Sequence, residues 1–312
     1  MSDDLMITHD DERAIVQRSV TPKSETPWLT CKPGQMFALN VPYDTYSTLP
    51  GLSASAIKVM KQSPLKYQYA LTHPTPTTPA LILGHAVHTA VLEPHKFAVE
   101  YAVWEGGRRF GKEWDKFCVE ADASGLTVIK QDEFETAMAM RDSVRGFGLA
   151  MHWLQRGTKE VTMQWTDPAL GRNFKGRADW VTEIDGEPWV VDLKSTRDCS
   201  TYRFGGQAYQ LGYHMQFALY ADGYYYMTGR LPKFAVIAVE SKPPYEPAVY
   251  TVPTDVLQQG HEDYAVLVQK IKECEAAGKW PPAQEAANEL TLPTWAYGDS
   301  GDDLSDLELV AE

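Results

Sequence analysis

From Glu160 to Thr196 the chain runs through three consecutive segments with the two-residue period of a strand, joined by connections too short to allow many arrangements. EVTMQW alternates apolar and polar residues as a half-buried strand does. FKGRADWVTEI alternates again after the turn-forming DPALGRN, and PWVVDLKST follows the Asp185-Gly186 turn. Parallel neighbours need a crossover of a dozen or more residues, so connections of this length predict an antiparallel three-stranded meander.

Helical patterns lie on both sides of it. Ser53 stands at the N-cap position before AIKVMKQ, Ser63-Pro64 stops that helix and starts LKYQYALTH, and TPTTP breaks the chain again. ALILGHAVHTAVLEP spaces Leu83, Val87, Ala90 and Val91 helically and ends at Pro94, and a further helix is expected over roughly 131–156. After the meander come a long helix over about 205–228, a buried strand FAVIAVES, an edge-like strand AVYTVP, and a helix from Asp255 to Ala277. This order predicts an α/β fold with a central mixed β-sheet flanked by helices. Residues 1–47 are polar with scattered Pro and Thr and read as an extension. The body is expected over 48–298, followed by an acidic C-terminal tail, 299–312.

The formal net charge of -13 argues at first against a nucleic-acid partner, because phosphate binding requires Lys and Arg to replace counterions. Its distribution reverses that inference. Asp3, Asp4, Asp10, Asp11 and Glu12 crowd one end, while Asp299, Asp302, Asp303, Asp306, Glu308 and Glu312 crowd the other, which leaves the body nearly neutral. Leu304, Leu307, Leu309 and Val310 interleave the tail acids, as in a segment that docks on a basic partner. No apolar run approaches the ~20 residues of a bilayer span. Acids stand where a signal peptide needs basic residues, so a cytoplasmic location is expected. Cys31, Cys118, Cys199 and Cys274 lie far apart, which disfavours a zinc or iron-sulfur site.

Chemistry concentrates on the meander. Asp192 and Lys194 project from one face of their strand while Leu193 turns to the other, and pairing of the strands brings Asp179 beside them. Two carboxylates and an ammonium at a sheet end can bind a divalent metal and position a water; the competing reading is a surface ion pair worth under ~1 kcal/mol. The apolar run before Asp192 favours the first, since a carboxylate there is costly unless paired or metal-bound. Glu160 is either a third carboxylate or an exposed strand-start residue. His88 on its apolar helix is either a ligand or a hydrogen-bonded packing residue. Gln216 and Tyr220, four apart on one helix face, either reach the lysine and a phosphate or pack amphipathically. The stretch Arg108, Arg109, Phe110, Lys112, Trp114 suits DNA phosphates and an unpaired base, or else forms a solvated basic turn.

Taken in order, LGHAVH, EVTMQW, GRADWV, VVDLKST and QFALY resemble the PD-(D/E)XK nuclease superfamily, with its restriction-endonuclease-like core. More narrowly the chain is similar to the RecE-like (exodeoxyribonuclease VIII) exonucleases of phages and prophages, over roughly Leu52 to Ala296. LSASAIKVMKQSPLKYQYA, VESKPPYEPAVY, GKWPP and LTLPTWA add to the likeness. Ala178 stands where the superfamily name has proline. The resemblance implies that Asp179, Asp192, the Leu193 carbonyl and His88 hold Mg2+ (Mn2+ substituting), with Glu160 close by as a ligand or outer-shell base. It implies that Lys194 orients the attacking water, with Gln216 and Tyr220 as buttresses. It further implies 5'-to-3' exonuclease action on double-stranded DNA ends, a ring-like homo-oligomer with a tetramer favoured, and a single-strand annealing recombinase as partner. A nuclease of other polarity, an endonuclease and an inactive DNA-binding module are the alternatives.

Overall fold

The computed structural model describes residues 36–39, 41–73, 78–287 and 289–291. Expectations for the extension before residue 36, for the tail 299–312 and for the segment after Thr291 lie outside those residues. The meander forms as expected: β4 (Gly157–Asp167), β5 (Arg172–Ile184) and β6 (Glu187–Thr196) are antiparallel neighbours, with Lys159 opposite Trp180 and Trp180 opposite Val191. At the Asp185-Gly186 turn both residues take positive φ, 53° and 77°, the left-handed values that a two-residue hairpin needs. β6 then runs parallel to β7 (Lys233–Glu240), and β7 pairs antiparallel with β8 (Pro247–Val252). On the far edge β1 (Met36–Ala38) pairs with β4, so this part of the expected polar extension adds a strand. The sheet order is β1-β4-β5-β6-β7-β8, a mixed sheet as the sequence predicts.

Helices cover both faces, and alternation along β6 decides which residue meets which. Val190 joins Val161, Met163, Phe174 and Val236 on one face, covered by α10 (Tyr213–Thr228) through Leu219 and Tyr224 and by α11 (Thr254–Ala277) through Tyr264. Val191 and Leu193 join Ile237 on the other face. There they meet Val87 and Val91 of α4 (Pro79–Leu92), Met140 and Val144 of α7 (Gln131–Gly146), and Trp153 of α8 (Gly148–Leu154). Each such large apolar side chain, fully buried, stabilises the fold by about 1.5–3 kcal/mol. A smaller cluster seats α2 (Ala54–Gln62) and α3 (Pro64–Thr72) on α11. Ser53, Ser63 and Thr78 cap α2, α3 and α4, each side-chain oxygen accepting a hydrogen bond from a first-turn N–H.

Two expected helices are divided. The 131–156 segment ends α7 at Gly146 and restarts as α8 after Phe147. The helix over 205–228 is α9 (Thr201–Gln210) and α10, separated at Gly212, whose φ of 66° stops an α-helix. The remaining elements are α1 (Tyr43–Thr48), a 3-10 turn over Pro94–Lys96, α5 (Phe97–Glu100) and α6 (Lys112–Ala123). β2 (Tyr101–Trp104) and β3 (Thr127–Lys130) form a small parallel sheet that the sequence did not suggest, four residues being too few to show a period. Among the described residues no helix is long and apolar enough to cross a membrane.

Candidate active site

The ladder between β5 and β6 ends at Trp180 and Val191, and the next residues on the two strands are Asp179 and Asp192. There β6 stays paired with β7 as far as Thr196, while β5 stays with β4. The strands therefore fork at the two carboxylates. Asp179 Oδ2 accepts a 2.9 Å hydrogen bond from the Leu193 N–H, so a side chain satisfies the backbone donor at the point of divergence. On β4, Glu160 falls between the pairs Lys159–Trp180 and Val161–Ala178, which places it opposite Asp179. Its φ of 50°, rare for a residue with a side chain, interrupts the ladder there. Glu160, Asp179 and Asp192 thus occupy adjacent positions on three adjacent strands.

Asp192 is fully buried, and its Oδ2 lies 2.5 Å from Lys194 Nζ. Burial pushes the Asp192 carboxyl above its usual pKa, against the attraction of the ammonium. Burial also opposes the charge on Lys194, but the carboxylates of Asp192 and Asp179 outweigh it, and the lysine is held above its ordinary value. A protonated Lys194 is the firm consequence. Gln216 on α10 donates through Nε2 to Asp192 Oδ1 at 3.2 Å and to the Tyr220 hydroxyl at 3.3 Å. Tyr220 is buried, which raises its pKa and keeps it a neutral phenol. On the other side of the sheet, α4 carries His88 Nδ1 to 3.4 Å from Asp179 Oδ2. The structure therefore brings together Glu160, Asp179, Asp192, Leu193, Lys194, Gln216, Tyr220 and His88. The surface-pair reading of Asp192 and Lys194 fails, because the Asp192 side chain is wholly buried.

Three further residues belong to this site. Arg177 Nε lies 2.6 Å from Glu160 Oε2, and its guanidinium packs over the rings of Tyr43 and Tyr46. Burial pushes Glu160 up to about 7 although Arg177 works against it. The signal was available: Arg177 and Asp179 are two apart on one strand and so share a face. Lys58 on α2 donates to Gln216 Oε1 at 2.7 Å, and Tyr213 lies under the Nζ atoms of both Lys58 and Lys194. Neither shows in the sequence: Lys58 is one of several polar residues on α2, and Tyr213 lies inside what reads as a single helix over about 205–228.

Asp192 Oδ2 and Glu160 Oε2 are buried and are met only by their ion-pair partners Lys194 and Arg177, with no further donor on either oxygen. Carboxylate oxygens with vacant lone pairs suit a hard divalent cation, which takes oxygen ligands. Among the described residues no three His, Cys, Asp or Glu side chains converge closely enough to hold an ion as they stand. The acids are engaged instead by Lys194, Arg177 and the Leu193 N–H.

The basic stretch lies elsewhere. Arg108 and Lys112 line an open cleft of about 510 Å3 with Trp104, Phe110 and Glu113, and none of Glu160, Asp179 and Asp192 borders it. Arg109 turns away to make a two-pronged ion pair with Glu133 of α7, at 2.7 and 2.5 Å. Both contacts come from the one nitrogen Nη2, which reaches the two carboxylate oxygens of Glu133.

Residues 53–292 match the family described as a PDDEXK-like domain of unknown function (DUF3799). The chain belongs to that family. The matched segment spans every acid of the fork together with Lys58 and Lys194, and stops short of both acidic ends. No curated protein matches the chain. Among solved structures, one described as a "Putative exonuclease" from Eubacterium rectale superposes with a TM-score of 0.56 at 14% identity, over 85% of this chain and all of that one. That likeness establishes the shared fold. SSO0001 (13% identity, 68% of this chain and 86% of that one) and VC1899 from Vibrio cholerae (11%, 79% and 60%) reach TM-scores of only 0.26 and 0.23.

Proposed function

We propose that this PDDEXK-like protein is a divalent-metal-dependent deoxyribonuclease that hydrolyses phosphodiester bonds at the β5–β6 fork. In its full form the proposal is a 5'-to-3' exonuclease on double-stranded DNA ends, using Mg2+ or Mn2+. It would work as a homo-oligomeric ring in phage-type recombination and leave 3' single-stranded overhangs for an annealing protein. The carrying observation is the row Glu160, Asp179, Asp192 on three adjacent strands with a protonated Lys194 beside it. The fold shared with the Eubacterium rectale protein supports the exonuclease part.

The side chains divide the work. Asp179, Asp192, the Leu193 carbonyl and His88, with Glu160 beside them, would hold the metal, which when bound supplies Lewis acidity toward the phosphoryl oxygen and the attacking water. Lys194 hydrogen-bonds the water and offsets negative charge building on the phosphate oxygens. As the water oxygen bonds to phosphorus the bond to the sugar oxygen breaks; the water gives up a proton to solvent and the departing oxygen takes one from solvent. Gln216 fixes the Asp192 carboxylate through Oδ1, the oxygen not paired with Lys194, and Tyr220 accepts a second hydrogen bond from Gln216. Arg177 orients Glu160 toward the row.

Linear duplex DNA labelled at either its 5' or its 3' ends, incubated with and without Mg2+ beside a circular duplex, tests the reading. Metal-dependent release of the 5' label with the circle intact is expected. Release of the 3' label first makes the polarity wrong, cutting of the circle makes it an endonuclease, and no hydrolysis with retained binding makes it a DNA-binding module.

A further inference from the structure

Two lysine side chains approach one tyrosine ring beside the acid row. Lys194 Nζ is 4.9 Å and Lys58 Nζ 5.0 Å from the centroid of Tyr213, on opposite parts of the chain. Their environments differ in one decisive respect. Lys194 is matched by the buried carboxylate of Asp192, whereas Lys58 makes its hydrogen bond to the neutral amide of Gln216 at 2.7 Å. A cation is thus held in a half-buried position with Lys194 as a like charge nearby, a neutral group as hydrogen-bond acceptor, and Asp192, already paired with Lys194, as the carboxylate that attracts it from beyond hydrogen-bond contact. Such an arrangement is costly unless something anionic completes it.

The lysine is also well anchored. It projects from α2, whose Ile57 and Met60 are buried on either side of it. Gly212, at the start of α10, lets the backbone pass close by, for a Cβ there would lie 3.3 Å from Lys58 Cγ. An ammonium has three protons, and the bond to Gln216 uses one.

We propose that Lys58 is a substrate-binding residue that receives a phosphate of the DNA strand being cut, next to the phosphate hydrolysed at the acid row. The inference rests on the nuclease reading for the identity of the anion. Burial, and then repulsion from Lys194, lower Lys58 to about 7 against the attraction of Asp192, and a bound phosphate would favour its charged form. The role is separate from that of Lys194: Lys58 touches neither Asp179 nor Asp192 by any hydrogen bond or ion pair, and reaches the site through Gln216.

The competing explanation is that Lys58 only turns the Gln216 amide, since a donor at Oε1 forces Nε2 toward Asp192 and Tyr220. Substitutions separate charge from hydrogen bonding. Lys58→Gln keeps a donor but loses the charge, Lys58→Met loses both, and Lys58→Arg keeps both. Binding of a fluorescent duplex to the full chain is measured in EDTA across a salt series, with thermal melting as the check on folding, and hydrolysis is measured separately in Mg2+. Lys58→Gln and Lys58→Met are expected to weaken binding about tenfold or more. They should lower the slope of log K against log salt by about 0.9, with Lys58→Arg near wild type. Unchanged affinity and slope in a folded Lys58→Gln overturn the proposal. A Lys58→Met protein that binds normally and loses only turnover, with Lys58→Gln fully active, overturns it in favour of amide positioning. A wild type that binds DNA without cutting it, yet loses affinity and slope in Lys58→Gln, refutes the nuclease reading and leaves Lys58 as a phosphate ligand.

Discussion

Lys194 has two duties that a single substitution pulls apart. It neutralises a fully buried carboxylate and, in the proposed mechanism, holds the attacking water. Lys194→Ala is expected to lower hydrolysis by at least about 100-fold, the range of a lost proton-handling group. It also leaves Asp192 buried without its counter-charge, a change that costs about 3–5 kcal/mol when one partner of a buried pair is removed. A divalent cation should therefore raise the melting temperature of Lys194→Ala more than that of wild type, because it restores a positive charge where the ammonium was. Calorimetry with and without Mn2+ checks this, and equal shifts would mean that the cation does not sit at Asp192. At this scale the sequence was partly legible. Asp192, Lys194 and Asp179 could be placed together because strand alternation is rigid and the hairpin is short. His88 could be brought to Asp179 only through family resemblance, since no local period links a helix to a strand ninety residues on. Lys58 was invisible because its partner Gln216 is 158 positions away, and helical periodicity speaks only for the apolar positions around it.

At the level of elements, the site depends on how α4 and α10 are pinned to the sheet. Glu93, buried at the C-terminal end of α4, is 2.7 Å from Lys159 on β4 and 2.9 Å from Lys96. Burial alone would raise its pKa, but the hydrogen bonds and charges of the two lysines prevail and hold it below the ordinary 4.5. The sign follows: the folded state binds this proton less tightly than the unfolded chain does. The stabilisation is therefore complete above about pH 4.5 and disappears as pH falls below it. Glu93→Gln should be less stable than wild type at pH 7 by about 1–3 kcal/mol, the range for a buried unpaired group. The two denaturation curves should approach one another below that pH, and a constant gap would sever the effect from the carboxylate. On the opposite face, Gly260 of α11 passes so close to α10 that a Cβ would overlap the His214 carbonyl. Gly260→Ala should therefore pry α10 from α11 and unsettle Gln216 and Tyr220, lowering both the melting temperature and turnover, whereas an unaffected protein would show slack between the helices. The existence of these helices was legible from caps and apolar spacing. Their interruptions were not: Gly212 sits within a run long enough to read as one helix, and a sequence pattern carries no sign of its left-handed φ.

Across the whole molecule, net charge is a poor guide to where DNA can lie. The acids that set the total are concentrated at the two ends of the sequence, outside the described residues. The six-stranded fold between them keeps its basic side chains in separate situations. Sequence reading grouped Arg108, Arg109 and Lys112 as one phosphate-binding patch because they are near neighbours in the chain. The fold divides them. Arg109 spends its guanidinium on Glu133, which also accepts from the Lys130 N–H at 2.8 Å and so secures the start of α7. Arg108 and Lys112 face the open cleft beside Phe110, which is 66% exposed. A phosphate contact releases counterions in proportion to the charge neutralised, so the division has a measurable form. Arg108→Ala and Lys112→Ala should each lower the salt slope of duplex binding by about 0.9, and together by about twice that. Arg109→Ala should leave the slope unchanged and instead destabilise the fold by up to about 1 kcal/mol, since Glu133 loses a half-buried ion-pair partner. Salt titrations of the three single variants, alongside denaturant melts, decide the matter. A slope that falls with Arg109→Ala at unchanged stability would mean that DNA draws the arginine off Glu133 and that the cleft's charge is made only on binding.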